Sequence, residues 1–409
     1  MIIYVGIDWS SKKHDICFVN AAGAALARQV IAHTPAGFAE FERQRERLGV
    51  EPAACVIGIE TAHNLLLDYL WGHHYTQVYV IPPNQVNRES QARWPSGARS
   101  DPSAAYLLAE MLRQDRTRFP VWCPDSLLTR QMRSRVSLLM HLTRHITALS
   151  NRLWAVLCRY YPAAITVFSD LTAQIELAFI LAYPTPQAAA QVTWTEFQVF
   201  AADHRHTQPR KLPAAFARLQ QAQPEADADT VATFQAEAVQ LAQLLLPLVQ
   251  AKQAQLHALT RLFQQHPDAA LFDSLPGAGE FLAPGLLVKF GDDRNRFPDA
   301  ASVQALAGTC PVTDSSGKHH VVRFRKACDH EFRTLTQQWA QATLTVSPWA
   351  QAYWQTMRPH CRSNSAAYRR LANRWLAIVW KLWQTHQTYD EDYHLQQRAA
   401  HSQPRSTKP

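Results

Sequence analysis

Three acids and a hydroxyl carry the chemistry this sequence offers. Asp8 closes the apolar run Ile2 to Ile7, Glu60 closes a second run after Ala54, and Asp101 precedes Pro102 where a helical stretch begins. A carboxylate ending an apolar strand is costly unless a cation or a donor meets it, because the surrounding core cannot solvate its charge. Three such groups repel one another until a divalent ion neutralises them, and their hard oxygens select Mg²⁺ or Mn²⁺. Ions held in this way activate a nucleophile and stabilise a leaving oxygen at phosphorus. Alone, Asp101 reads as a helix cap, with Pro102 at the first helical position. With Asp8 and Glu60 in place it reads as a ligand that also caps. A fourth acid one turn on would share its face, but the residue there is Ala104. Glu110 falls on the opposite face and Asp115 about 20 Å further along the axis, so neither substitutes. The hydroxyl lies in Asp314-Ser315-Ser316-Gly317-Lys318. That string is ordinary turn composition, or else a nucleophile on a glycine-relaxed loop with Lys318, Arg323, Arg325 and Lys326 beside the attacked phosphate. Chemistry alone does not separate Ser315 from Ser316.

Positioning these groups requires strands and helices in a particular order. After the first strand, a turn at Ser10 to Lys13 leads into strands over 14–19 and 24–33, a helix over 36–48, and the strand ending at Glu60. A helix over 62–73, a strand over 77–82, a polar stretch to Ser100 and a helix from Asp101 follow. This is the order of an α/β RNase H-like (RuvC-like) domain. A Rossmann domain would alternate strand and helix from the start and place GxGxxG after its first strand. Residues 126–160 are helical, as one helix or two, with Arg130, Arg133, Arg135, Arg144 and Arg152 between apolar positions. Prolines break 163–223 into short helices, with a linker at 204–211. Residues 225–265 form a glycine-free helix that Pro247 should kink, and its apolar stripe needs a partner helix from this chain or a second copy. A mainly α domain follows. Its Leu275-Pro276-Gly277-Ala278-Gly279 resembles a helix-hairpin-helix turn, in which Gly277 and Gly279 would let backbone N–H groups reach a DNA phosphate, although such turns are more often only turns. Over 366–386, Trp375, Trp380 and Trp383 are assigned to the core and the basic residues between them to the outer face. The expected domains are 1–122, a helical, coiled-coil-like 123–268, and 269–395, with a disordered polar tail at 396–409.

The chain of 409 residues is long enough for two or three domains, and a hydrophobic share of 47% gives each a core. A net charge of +8, largely from arginine, makes nucleic acid the leading partner class. The seven cysteines are scattered and form no CxxC pair, which suits a reducing compartment rather than a zinc site. No run reaches the 18 or so apolar residues that span a bilayer. A cytoplasmic protein without membrane contact is expected.

Read together, these residues resemble the insertion-sequence one-hundred-ten (IS110) family of transposases, DEDD-type recombinases guided by a bridge RNA. The resemblance rests on Gly6-Ile7-Asp8-Trp9-Ser10, Gly58-Ile59-Glu60-Thr61-Ala62 and the run from Arg99 through Asp101 to Ala109. Towards the C-terminus it rests on Leu275 to Gly279, Gly291-Asp292-Asp293-Arg294-Asn295-Arg296-Phe297, and Ala307-Gly308-Thr309-Cys310-Pro311-Val312 leading into Ser315-Ser316-Gly317-Lys318. It implies Mg²⁺ on Asp8, Glu60 and Asp101, and a nucleophilic serine at Ser316 that becomes joined to cleaved DNA. It also implies a homo-oligomer with composite active sites that reads target and donor DNA through a non-coding RNA. Ala104 departs from the pattern, since the last acid of the family's DxxDA step is missing, so slow cleavage is expected. Three other readings are a Holliday-junction resolvase, which would not need Ser316, an actin-like sugar kinase, whose later phosphate loops are lacking, and a nucleic-acid-binding scaffold weakened by Ala104.

Overall fold

The structure, a computed structural model, describes residues 2–60, 65–94, 101–119, 121–168, 170–221, 226–316 and 319–402, without the side chains of 101, 102, 314–316, 319, 320 and 398–402. It divides into two compact units, Met1–Pro124 and Asp125–Pro409.

In the first unit, β1 (Ile3–Trp9), β2 (Lys13–Val19), β3 (Ala25–Ala32), β4 (Cys55–Ile59) and β5 (Val78–Val80) form a sheet ordered β3-β2-β1-β4-β5. β1 pairs antiparallel with β2 and parallel with β4, and β4 pairs parallel with β5. Alternation along the strands sorts side chains between two covered faces. Ile3, Val5, Ile7, Ile57 and Ile59 pack with Phe38 and Phe41 of α1 (Pro35–Arg47) and Leu66 and Leu70 of α2 (Leu65–Gly72). Val56 on the other face meets Leu107, Leu108 and Leu112 of α4 (Asp101–Asp115), and Cys17 and Val19 meet Ala105 and Ala109 of the same helix. The expected strand order holds, with one addition. Helix α3 (Pro83–Arg93) forms where only a polar stretch is expected. Pro83 sets its first turn, and its buried side consists of Val86 and Ser90 alone, too little to register as an apolar period.

The second unit is mainly helical. Helix α5 (Leu127–Tyr160) is continuous. Four short helices follow, α6 (Gln174–Ala182), α7 (Pro186–Ala190), α8 (Trp194–Asp203) and α9 (Leu212–Leu219), and then α10 (Ala228–Phe263). α10 runs unbroken through Pro247. Met132 and Val136, early in α5, share a core with Leu259 and Phe263, late in α10, while Leu153 and Val156 share another with Ala238 and Leu241. The two long helices are therefore antiparallel partners within one chain, bridged by Arg135 to Gln255 and Arg152 to Glu237. α6 to α9 complete the core at one end. At the other end lie α11 (Ala269–Asp273), α12 (Gly279–Phe290), α13 (Ala300–Leu306), a hairpin of β6 (Val312–Ser316) and β7 (His319–Arg323), and α14 (His330–Thr343), α15 (Pro348–Met357), α16 (Asn364–Thr385) and α17 (Glu391–Ser402). Trp375 and Trp383 are fully buried, as expected, and Trp380 is partly buried with its indole N–H on Phe297 O. The tail expected to be disordered from 396 is helical to Ser402, because Glu391 fixes the start of α17 through Ser347 Oγ (3.0 Å), Trp349 N (2.8 Å) and Tyr389 OH (2.7 Å). Residues 403–409 lie outside the described residues. Among the described residues, no helix is long and apolar enough to cross a membrane.

Candidate active site

Asp8 is the next-to-last residue of β1, and Glu60 directly follows β4. The parallel register pairs Ile7 with Ile59, so the next residues, Asp8 and Glu60, fall side by side at the carboxyl edge of the sheet. Both are half-buried. By alternation they share the face of Gly6 and Gly58, which is the α4 face. α4 crosses there closely: a Cβ on Gly6 would lie 1.8 Å from the Ala105 carbonyl oxygen and 2.7 Å from the Ala109 nitrogen, so only glycine fits. The helix runs antiparallel to β1. Just past the crossing Tyr106 OH donates to Gly23 O (3.1 Å), and near the far end of the helix an Arg113 guanidinium N–H donates to Ala21 O (3.3 Å), both acceptors lying in the β2–β3 turn beside the start of β1. Asp101 lies four helical residues before the crossing, about 6 Å, and Asp8 lies two strand residues beyond it, also about 6 Å. Both backbones thus reach the same sheet edge.

Ala104 is half-buried on α4. Glu110 is held by Arg113 at 2.6 and 2.7 Å and by Gln114 at 3.0 Å, and Asp115 caps the turn after α4 through Thr117 N (3.1 Å). Both are structural, as their spacing requires. A further acid appears that sequence reading missed. Asp15 of β2 is the antiparallel partner of Asp8 and is only 5% exposed, with Lys13 Nζ 3.4 Å from its Oδ2. The signal was the Ser10 to Lys13 turn, closed by Ser10 N to Lys13 O (2.9 Å), which puts 9 opposite 14 and 8 opposite 15. Among the described residues, no group of three or more His, Cys, Asp or Glu side chains is close enough to hold a metal ion, and the Asp101 side chain lies outside them.

In the second unit, Ser316 is the last residue of β6, paired with His319 of β7, rather than part of a relaxed loop. The β-branched residues Val312, Thr313, Val321 and Val322 favour the extended ribbon. Gly317 and Lys318 lie outside the described residues. Arg323 ends β7 and is exposed, as is Lys326, while Arg325 is half-buried and donates to Cys310 O (3.3 Å). Gly277, between α11 and α12, and Gly279, the first residue of α12, are exposed with φ of +68° and +57°. A Cβ on Gly277 would meet Ala342 O at 2.9 Å, and Trp339 Nε1 donates to Pro276 O (2.9 Å), so this turn also serves packing on α14. Among the described residues, nothing lies within 4 Å of a Cβ on Gly279. The Gly291 to Phe297 segment is structural: Asp292 accepts from Ser126 N (2.6 Å) and Thr129 Oγ1 (2.7 Å) and meets His266 Nε2 (3.1 Å), tying the loop after α12 to the start of α5. Burial alone would raise its pKa, yet these hydrogen bonds prevail and hold it well below the usual carboxylate range.

A transposase family model of the DEDD, IS110 type matches residues 5–162, and a second, described as Transposase IS116/IS110/IS902 family, matches residues 269–355. The mini-circle transposase assigned to IS117 in Streptomyces coelicolor is 30% identical over 400 residues, 96% of each chain. The chain belongs to the IS110 family of transposases. Other similar proteins are the y4uE transposase of Sinorhizobium fredii, 27% identical over 46% of this chain and 53% of its own, and an uncharacterized protein of insertion element IS110 from S. coelicolor, 29% identical over 32% of each. Within this IS110-family enzyme, the first family match spans Asp8, Glu60 and Asp101, and the second spans Gly277, Gly279 and Ser316.

Proposed function

We propose that this transposase cleaves and joins DNA using Mg²⁺ (or Mn²⁺) held by Asp8, Glu60 and Asp101 of an RNase H-like domain, with Ser316 as nucleophile and a bridge RNA as guide. The observation that supports this reading is the common sheet edge reached by Asp8, Glu60 and the first turn of α4. The donor set fits such an ion, being all carboxylate oxygen. Bound there, divalent ions supply charge neutralisation at a phosphoryl group and a lowered pKa for a bound nucleophile or leaving oxygen. The acids belong to the first unit and Ser316 to the second. Ser316 Oγ would attack phosphorus as the bond from phosphorus to the sugar oxygen breaks, the serine proton ending on that leaving oxygen, and Arg323 and Lys326 would balance charge on the phosphate. The chain's charge of +8 suits holding target DNA, donor DNA and guide RNA, whose pairing would supply sequence specificity. Domain bounds of 1–122, 123–268 and 269–395, and a homo-oligomeric assembly, belong to the same reading.

Ala104 leaves the acid set one short, so cutting should be slow. Metal-dependent cleavage of guide-matched DNA is compared between this chain and Ala104→Asp, with a gain of about tenfold or more expected; equal rates refute the role given to position 104. Ser316→Ala should abolish the covalent DNA adduct recovered after denaturation. Cleavage that survives this substitution would favour the resolvase reading, and an adduct-free, inactive Ala104→Asp variant the scaffold reading.

A further inference from the structure

Phe324, the residue after β7, is 47% exposed and carries a guanidinium against its ring from each of two helices. The Arg333 Cζ of α14 and the Arg369 Cζ of α16 each lie 4.6 Å from the ring centroid. Two guanidiniums gathered on one ring repel each other. Burial, and then the neighbouring Arg333 charge, pull the Arg369 pKa below its ordinary value. Among the described residues neither has a carboxylate partner: Arg333 gives an N–H to Arg325 O and another to the Cys328 sulfur while its Nε is buried without a hydrogen-bond partner, and Arg369 has, besides the ring, only the Cys361 thiol favouring its charge. An uncompensated, partly buried cation pair is a standing cost that an anion would relieve. Beside it opens a groove of about 310 Å³ lined by Arg333 and by neutral donors including Gln337, Gln341, Ser365 and Tyr368, with no acid among the described residues of its lining.

We infer that Arg333 and Arg369, clasped on Phe324 beside the groove that Arg333 lines, form a phosphate-binding site for a DNA strand. The inference rests on the reading of Ser316 as nucleophile, because that reading chooses DNA. From Arg323 to His319, the partner of Ser316, the hairpin spans four strand steps, about 14 Å. That distance is about four nucleotides at about 3.4 Å per step. The clasp at the hairpin base would hold the backbone a few nucleotides from the bond under attack, fixing register without reading bases.

The full chain carrying Arg369→Gln is titrated by fluorescence anisotropy with a 40-base-pair DNA duplex and, separately, an RNA hairpin, across a salt series. Arg369 makes no hydrogen bond among the described residues, so the fold should persist, and thermal melting checks it. The expected result is a five- to tenfold loss of DNA affinity, a salt slope shallower by about 0.9, and unchanged RNA binding. Arg369→Lys should keep the slope. Unchanged DNA affinity, a loss confined to RNA, or an equal loss on both overturns the inference. Covalent adduct formation at Ser316 by the unsubstituted chain is scored separately: if it occurs while Arg369→Gln binds DNA normally, only the clasp is wrong, and if it does not occur, the nucleophile reading fails first.

Discussion

Glu176 of α6 is fully buried, and its position sets a pH dependence that has nothing to do with catalysis. One oxygen accepts from Phe168 N at 2.8 Å, while the other finds no hydrogen-bond partner among the described residues, and neither does the nearby Tyr161 hydroxyl. Burial, only partly offset by the Phe168 N–H, raises the Glu176 pKa from 4.5 to about 8. Between those two values the folded chain keeps a proton that the unfolded chain has lost. Folded stability therefore falls as pH rises through this window and levels off above about 8, by a few kcal/mol at about 1.36 kcal/mol per pH unit. Glu176→Gln, which has nothing to ionise, should flatten the profile. Urea unfolding at pH 5 and pH 8 measures this, and an unchanged slope in the variant would show that another group is responsible.

At the scale of elements, the α5–α10 pair holds two cores of the second unit together, and Pro247 lies exposed in the middle of α10. A proline there removes one hydrogen bond from the ladder and crowds the carbonyl four residues back. α10 is nonetheless unbroken, because Leu241, Leu245 and Leu259 are buried against neighbours on either side of it. Pro247→Ala should then stabilise the protein by about 1–3 kcal/mol, read as a higher denaturant midpoint with an unchanged slope. The same helices show what was legible in the sequence. Strong periods gave α5, α10, α16 and the strands carrying Asp8 and Glu60, since burying one face fixes the spacing of apolar residues. α3 buries too little to announce itself. The hairpin at Ser316 read as a loop because Asp, Ser and Gly dominate its turn, while the β-branched residues that extend it lie outside that string. Asp15 could not be weighed without the strand pairing that sets it beside Asp8.

For the molecule as a whole, both faces of the β1–β5 sheet are covered by helices from the first unit itself, with Phe41, Leu66 and Leu70 on one side and Leu107, Leu108 and Leu112 on the other. A unit of this size, with a two-sided core, is large enough to fold alone. A fragment spanning residues 1–124 is therefore expected to unfold cooperatively on heating. It also carries every acid assigned to the metal, Asp8, Glu60 and Asp101, together with Asp15 and the Ala104 gap. If those carboxylates alone bind the ion, Mn²⁺ affinity measured by calorimetry should agree within about threefold between the fragment and the full chain, and Asp8→Asn should abolish it in both. A folded fragment that binds Mn²⁺ much more weakly than the full chain would mean that groups beyond residue 124 complete the coordination. The three-acid account would then have to give way to one in which the second unit supplies more than the serine.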